Sequence, residues 1–205
     1  MIKAVGFDYG GVIAGLKRPG EGFNARASRI LDMPVEDYKQ IYFSKNEAIL
    51  TGQIESWGDF WRQFVTEIGK PESYSAIMAL SDETNRQLDI IDPSMIGLVD
   101  ELRGSGYMTG LLSNNTVQNG ARMRELGVDK HFDVFQVSAE TGFMKPDPRA
   151  FGHFIQALGV QPPELAFVDD TLNSLSTASS VGFAAIHFTS HEQARQELVD
   201  YGVVF

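Results

Sequence analysis

Val5-Gly6-Phe7-Asp8-Tyr9-Gly10-Gly11-Val12 is the stretch on which the reading of this chain turns. A short apolar run ends in one carboxylate, two glycines follow, and the chain becomes apolar again. An ionised acid at the end of a strand serves a core poorly and a site well, because open α/β sheets bind ligands outside the carboxyl ends of their strands. The pattern recurs at Thr109-Gly110-Leu111-Leu112, which ends in Ser113-Asn114, and at Leu165-Ala166-Phe167-Val168, which ends in Asp169-Asp170. If these runs are parallel neighbours, Asp8, Ser113 and the acid pair meet on one edge. Three carboxylates there repel one another and call for a cation among them. All are hard oxygen donors, the chain has no cysteine, and no histidine stands near any of the three, which favours magnesium over zinc.

Outward from this stretch, strands alternate with helices. Residues 2–8 make the first strand, and others end at Ser113 and Asp169; Val134–Val137 and Ala184–His187 complete a set of five. Between them, Asp92-Pro93 caps a helix with Met95, Leu98, Val99 and Leu102 on its buried face. Further helices run from about Thr116 to Leu126, from Asp147-Pro148 to about Leu158, from about Leu172 to Val181 and from about His191 to Val199. This order predicts an α/β fold, a doubly wound parallel sheet of Rossmann type.

One block breaks the alternation. Residues from about 21 to 88 read as helical throughout. After Ser56, residues Trp57, Phe60, Trp61, Phe64, Val65 and Ile68 recur at helical spacing on one face, which assigns the stripe to the core of a small helical unit. The expected organisation is a core domain of residues 1–15 and 89–205 with an inserted all-α cap, residues 16–88, over the active edge. A hinge is placed in the polar, Gly-rich stretch before Gly22, where Lys17 and Arg18 read as solvated.

Composition narrows the function classes. The 205 residues are 43% hydrophobic and 21% charged, with a net charge of −10 and no basic cluster, which argues against nucleic acid as a partner. No apolar stretch approaches the ~18 residues of a membrane span. The apolar run near the N-terminus is too short for a signal peptide, so a soluble, cytoplasmic protein is expected.

Lys145 lies in Phe143-Met144-Lys145-Pro146-Asp147-Pro148, held in a loop before a helix because proline forces extended backbone ahead of it. A fixed cation beside carboxylates and magnesium, with the Ser113 hydroxyl and the N–H groups after it, describes a phosphate clamp with Asp8 as attacker.

At this point the chain resembles the haloacid dehalogenase (HAD) superfamily, over nearly its whole length. Four motifs stand in order: Asp8 in a strand-end D-x-x-G-V, Ser113-Asn114, Lys145-Pro146 and Asp169-Asp170. The helical block resembles the family's C1 cap. The resemblance implies a nucleophilic Asp8 that forms an aspartyl-phosphate, with Ser113, Asn114 and Lys145 holding the transferring group. It implies magnesium on Asp8, the Gly10 carbonyl and Asp170, with Asp169 ligating or supporting the ligands. The implied activity is a phosphatase of a small phosphorylated metabolite such as a sugar phosphate.

Two positions depart from the family pattern. Its phosphatases carry a second aspartate two residues after the first, as general acid and base, and here that residue is Gly10. Members often have asparagine five residues after the first Asp of the last motif, where this chain has Ser174, with Asn173 before it. Two alternatives therefore stay open: a metal-free 2-haloacid dehalogenase, which needs no second aspartate, and a non-catalytic binder of phosphorylated ligands. Ser113 alone could also be a helix N-cap. The histidines at 131, 153, 187 and 191 show no ligand spacing.

Overall fold

Five short β-rich runs pair as parallel neighbours. They are β1 (Ala4–Phe7), β2 (Met108–Ser113), β3 (Val134–Val137), β4 (Leu165–Asp169) and β5 (Ala184–His187). The computed structural model describes residues 1–15 and 22–205 and arranges the strands in the order β3-β2-β1-β4-β5. β1 is central, with Ala4 beside Met108 on one flank and Leu165 on the other. All five strands expected from sequence are present.

Between β1 and β2 the chain forms α1 (Phe23–Ile30), α2 (Val35–Leu50), α3 (Trp57–Glu67) and α4 (Tyr74–Gln87), then α5 (Pro93–Gly104). The remaining helices are α6 (Val117–Glu125), α7 (Ser138–Thr141), α8 (Pro148–Leu158), α9 (Ala178–Val181) and α10 (His191–Asp200). The Ser56 hydroxyl caps α3 by accepting from the Asp59 N–H at 3.1 Å, and Asp92 caps α5 by accepting from the Ser94 N–H at 2.8 Å.

Alternation along the strands sends side chains to two cores. Val5, Phe7, Leu111, Ala166 and Val168 pack with Met95, Leu98 and Val99 of α5 and Leu198 of α10. Ala4, Leu112, Leu165 and Phe167 pack on the opposite face with Phe151, Phe154 and Leu158 of α8. A Cβ at Gly6 would lie 2.5 Å from the Phe167 ring, and one at Gly110 2.5 Å from the Phe154 ring, so glycine lets α8 approach the sheet. Helices α1–α4 gather around a third apolar core, with Leu31, Tyr38, Phe60, Trp61, Phe64 and Ile77 all buried. Burial of side chains this size contributes roughly 1.5–3 kcal/mol each. Met144, from the loop before α8, packs against this core. The Tyr9 hydroxyl donates to the Leu88 carbonyl at 2.5 Å, and the Arg122 guanidinium pairs with Asp89 at 3.2 Å.

One expected helix is mostly absent. Of the stretch from Leu172 to Val181, only Ala178–Val181 is α-helical. The residues before it form tight turns, with the Ser174 N–H donating to Thr171 and the Ser176 N–H to Asn173. The polar side chains of Thr171, Asn173, Ser174, Ser176 and Thr177 offer the backbone local alternatives to a helix. The Thr171 N–H is taken by the Asp169 carboxylate at 2.8 Å. Lys17 and Arg18, and the stretch where the hinge was expected, lie at least partly outside the described residues. No helix among the described residues is long and apolar enough to cross a membrane.

Candidate active site

Strand register assembles the acidic cluster. Phe7 pairs with Val168, and the Asp8 N–H donates to the Val168 carbonyl at 2.9 Å, which sets Asp8 beside Asp169. By alternation both acids share the face that carries Phe167 and looks toward α8, while Tyr9 falls into the opposite core. Lys145 arrives from the loop before α8. Its ammonium lies 2.8 Å from Asp8 Oδ1 and 2.6 Å from Asp169 Oδ2, with its side chain 1% exposed. The Phe167 ring lies under it at 5.0 Å.

These groups perturb one another. Burial pushes the Asp8 carboxyl up from 3.8 to about 6; the Lys145 charge opposes that rise and the Asp169 charge adds to it. Burial alone would lower the Lys145 ammonium, but Asp8 and Asp169 outweigh it and hold the group above its ordinary value. The lysine is a fixed cation between two acids.

Asp170 completes the edge. Gly11, at φ +82°, passes so close that a Cβ there would lie 2.6 Å from Asp170 Oδ2. Thr171 supports both acids, its N–H donating to Asp169 and its hydroxyl to Asp170 Oδ1 at 3.1 Å. Asp8, Asp169 and Asp170 each offer one oxygen, all within 4.8 Å of one another. This hard-oxygen set, with no histidine among the described residues lining the cleft, fits magnesium or a similar cation.

The cluster opens into a cleft of about 800 Å³ between the sheet edge and the helical unit. Ser113 and Asn114 line it as expected. The Asn114 side chain, however, holds Lys145: its oxygen accepts from the Lys145 N–H and its amide donates to the Lys145 carbonyl, both at 2.7 Å. Both ends of the Asn114 amide are thus engaged by the Lys145 backbone. Ser113 is not the cap of α6; Thr116 is, accepting from the Asn119 N–H at 3.2 Å. At Gly10, the nearest atom to an added Cβ is Leu88 Cδ2 at 3.6 Å.

Sequence reasoning missed part of the far wall. Tyr42 and Phe43 of α2 line the cleft, and Trp57, expected in the core stripe, lines it as well. The signal was the adjacent pair Tyr42-Phe43: neighbours on a helix lie about 100° apart, so a narrow buried stripe cannot take both. Thr171 was missed too, and it gives the acid pair the support that Ser174 was expected to lack.

Comparison with known proteins agrees with this geometry. A family model described as haloacid dehalogenase-like hydrolase matches residues 2–182. The mouse protein "Acyl-CoA dehydrogenase family member 10" is 31% identical over 77% of this chain, which spans only 14% of that protein. "Sesquiterpene phosphatase astK" of Aspergillus oryzae is 29% identical over 96% of this chain and 95% of its own length. Among solved structures, a HAD family enzyme of Bacteroides thetaiotaomicron, in complex with magnesium and inorganic phosphate, superposes with a TM-score of 0.66 at 21% identity, covering 92% of this chain and 95% of that one.

Proposed function

The chain belongs to the haloacid dehalogenase-like hydrolase family, and from that premise we propose that it is a magnesium-dependent phosphatase of small phosphorylated metabolites, working through an aspartyl-phosphate on Asp8. The observation that carries this reading is Lys145, buried between Asp8 and Asp169 beside the Asp170 carboxylate. The phosphatase name of the Aspergillus relative and the magnesium and phosphate of the Bacteroides enzyme support it.

Asp8, the Gly10 carbonyl and Asp170 would hold the ion, with Asp169 ligating or supporting them; bound there, magnesium supplies positive charge opposite the phosphoryl oxygens. Asp8 attacks phosphorus, and its new bond forms as the ester P–O bond breaks with the electron pair on the leaving oxygen. Lys145, the Ser113 hydroxyl and the main chain at Asn114 stabilise the equatorial oxygens. Water then cleaves the Asp8–phosphorus bond, returning the carboxylate and releasing phosphate. In this reading the helical unit, residues 16–88, caps the core formed by residues 1–15 and 89–205.

Gly10 favours a second reading, the metal-free dehalogenase, because a departing halide needs no proton. A screen of phosphorylated metabolites and a 2-haloacid, each with and without magnesium, separates the two. Phosphate release only with magnesium is expected. Halide release that is indifferent to chelator would sink the phosphatase reading.

A further inference from the structure

Two features of the cleft converge on the leaving group. The first is the absence of an acid to protonate it. Among the described residues lining the cleft, the ionisable side chains are Asp8, Asp170, Lys145 and Tyr42. The first three serve attack, cation and phosphate, and burial pushes the Tyr42 phenol up to about 12, which makes it a poor acid. General acid catalysis is typically worth ~10²–10⁴ in rate, and its absence handicaps an alkoxide far more than a weakly basic leaving group.

The second feature is the aromatic part of the cleft's lining. Trp57 and Tyr42 both stack on Trp61, with centroids at 6.1 and 5.8 Å and interplanar angles of 20° and 12°. Phe43 meets Tyr42 edge-on at 5.3 Å and is 56% exposed. Tyr42 also stacks on Tyr38 at 5.4 Å and 18°, so Trp57, Tyr42 and Phe43 belong to one aromatic cluster of the helical unit that reaches the cleft, with Trp57 and the edge-on Phe43 at its margins. Lys145 is the only cation lining the cleft among the described residues. The wall suits an uncharged aromatic group, because ring pairs attract beyond the area they bury.

We propose that the substrate is the phosphate monoester of a phenol or larger aromatic hydroxyl compound, its ring lying against Tyr42, Phe43 and Trp57 while its phosphate meets Asp8 and Lys145. This rests on the phosphatase reading above. A phenol ionises near ~10, as tyrosine does, whereas an alkoxide is nearly as basic as hydroxide. The Asp8 oxygen–phosphorus bond forms, and the phosphorus–aryl oxygen bond breaks. The aryl oxygen leaves with the bonding pair as a phenolate and takes its proton from solvent. Water then hydrolyses the aspartyl-phosphate.

The test compares 1-naphthyl phosphate, glucose 1-phosphate, glucose 6-phosphate and acetyl phosphate, all with magnesium, in the wild type and in Phe43→Ala and Trp57→Leu. Phe43 is more than half exposed, so its truncation leaves the fold intact, which a melting curve checks. Expected is a kcat/KM for 1-naphthyl phosphate at least about tenfold above either sugar phosphate, since no described residue lining the cleft is placed as a proton donor for those esters. The ratio of naphthyl to acetyl phosphate turnover should fall about threefold or more in each variant. Sugar phosphates turned over as well as 1-naphthyl phosphate would overturn this substrate class and spare the phosphatase. An unchanged naphthyl-to-acetyl ratio in both variants overturns the placement of the ring. No turnover of any of the four, acetyl phosphate included, overturns both readings.

Discussion

Lys145 and Trp61 are buried almost equally, at 2% and 0% exposure, yet charge surrounds the first and rings pack around the second. Lys145 has two carboxylates within 2.8 Å. Trp61 has Tyr42, Trp57, Phe60 and Phe64 around it, with ring centroids 4.9 to 6.1 Å away. Burying charges is unfavourable unless each is paired, so the sheet edge gains no stability from Asp8, whose carboxyl is pushed upward. Burying rings is favourable, here offset in part by the buried Trp61 Nε1–H, which has no hydrogen-bond partner among the described residues. The edge is thus arranged for chemistry at the expense of stability, and the helical unit supplies the apolar packing around it.

The largest expected effect separates these two currents at one residue. Asp8→Asn should lower turnover by on the order of 10⁶, the scale for removal of a nucleophile. In metal-free protein it should also raise the melting temperature. The folded carboxyl ionises at about 6 against an ordinary 3.8, so its charge destabilises the fold fully above pH 6 and not at all below 3.8. The advantage of Asn should therefore grow as pH rises between those values and reach about 1–3 kcal/mol at neutral pH. A metal-free variant less stable than wild type at pH 7 would break the contrast.

Lys145→Ala and Trp61→Ala test the two burials directly. Each should lower unfolding free energy by about 3–5 kcal/mol, the first by leaving two acids unneutralised and the second by opening a large cavity. Only Lys145→Ala should also abolish turnover of acetyl phosphate below its melting point. Urea unfolding alongside steady-state rates measures both, and equal kinetic damage from the two would erase the division of roles.

Next in size is the cation. Asp170→Ala should raise the magnesium needed for half-maximal rate by at least about tenfold, with little change in melting temperature of metal-free protein. A magnesium titration of both proteins decides it, since an unshifted midpoint would remove Asp170 from the ligand set.

Gly10→Asp should give the smallest change, and an upward one. A Cβ there meets only ordinary contact with Leu88 at 3.6 Å, so a side chain can start from this position without displacing its neighbours. Turnover of glucose 6-phosphate should rise by up to about 10²-fold, and that of 1-naphthyl phosphate by much less. Rapid-quench kinetics should show a burst on activated substrates in the wild type that fades in the variant, because Asp8 dephosphorylation then acquires a base. Linear time courses in both proteins, with no gain on any ester, would mean that another group already moves these protons.

How much of this was legible in advance differs by region. The sheet edge was readable because strand ends, glycines and acids recur within a few residues of one another: Asp8, Ser113 and Asp169 stand where the apolar runs stop. The facing wall was not. Tyr42 and Phe43 acquire meaning only when α2 and the sheet edge line one cleft, and Trp57 keeps its place against Trp61 in the stripe while also reaching that cleft. The stretch after Asp170 was misread as a helix since small residues permit one, and the Asp169 carboxylate claims the Thr171 N–H instead.

By itself, the sequence determined the five strands, the capped helices after Ser56 and Asp92, the helical block after the first strand and the acids gathered at the strand ends. These depend on periodicity and capping, interactions that reach no further than about four residues. Only the tertiary structure decided that Asn114 clamps Lys145, that Gly11 makes room for Asp170 and that aromatic rings line the same cleft as Asp8. Each of those joins segments far apart along the chain, and their contacts exist only once the sheet register and helix packing bring the segments together.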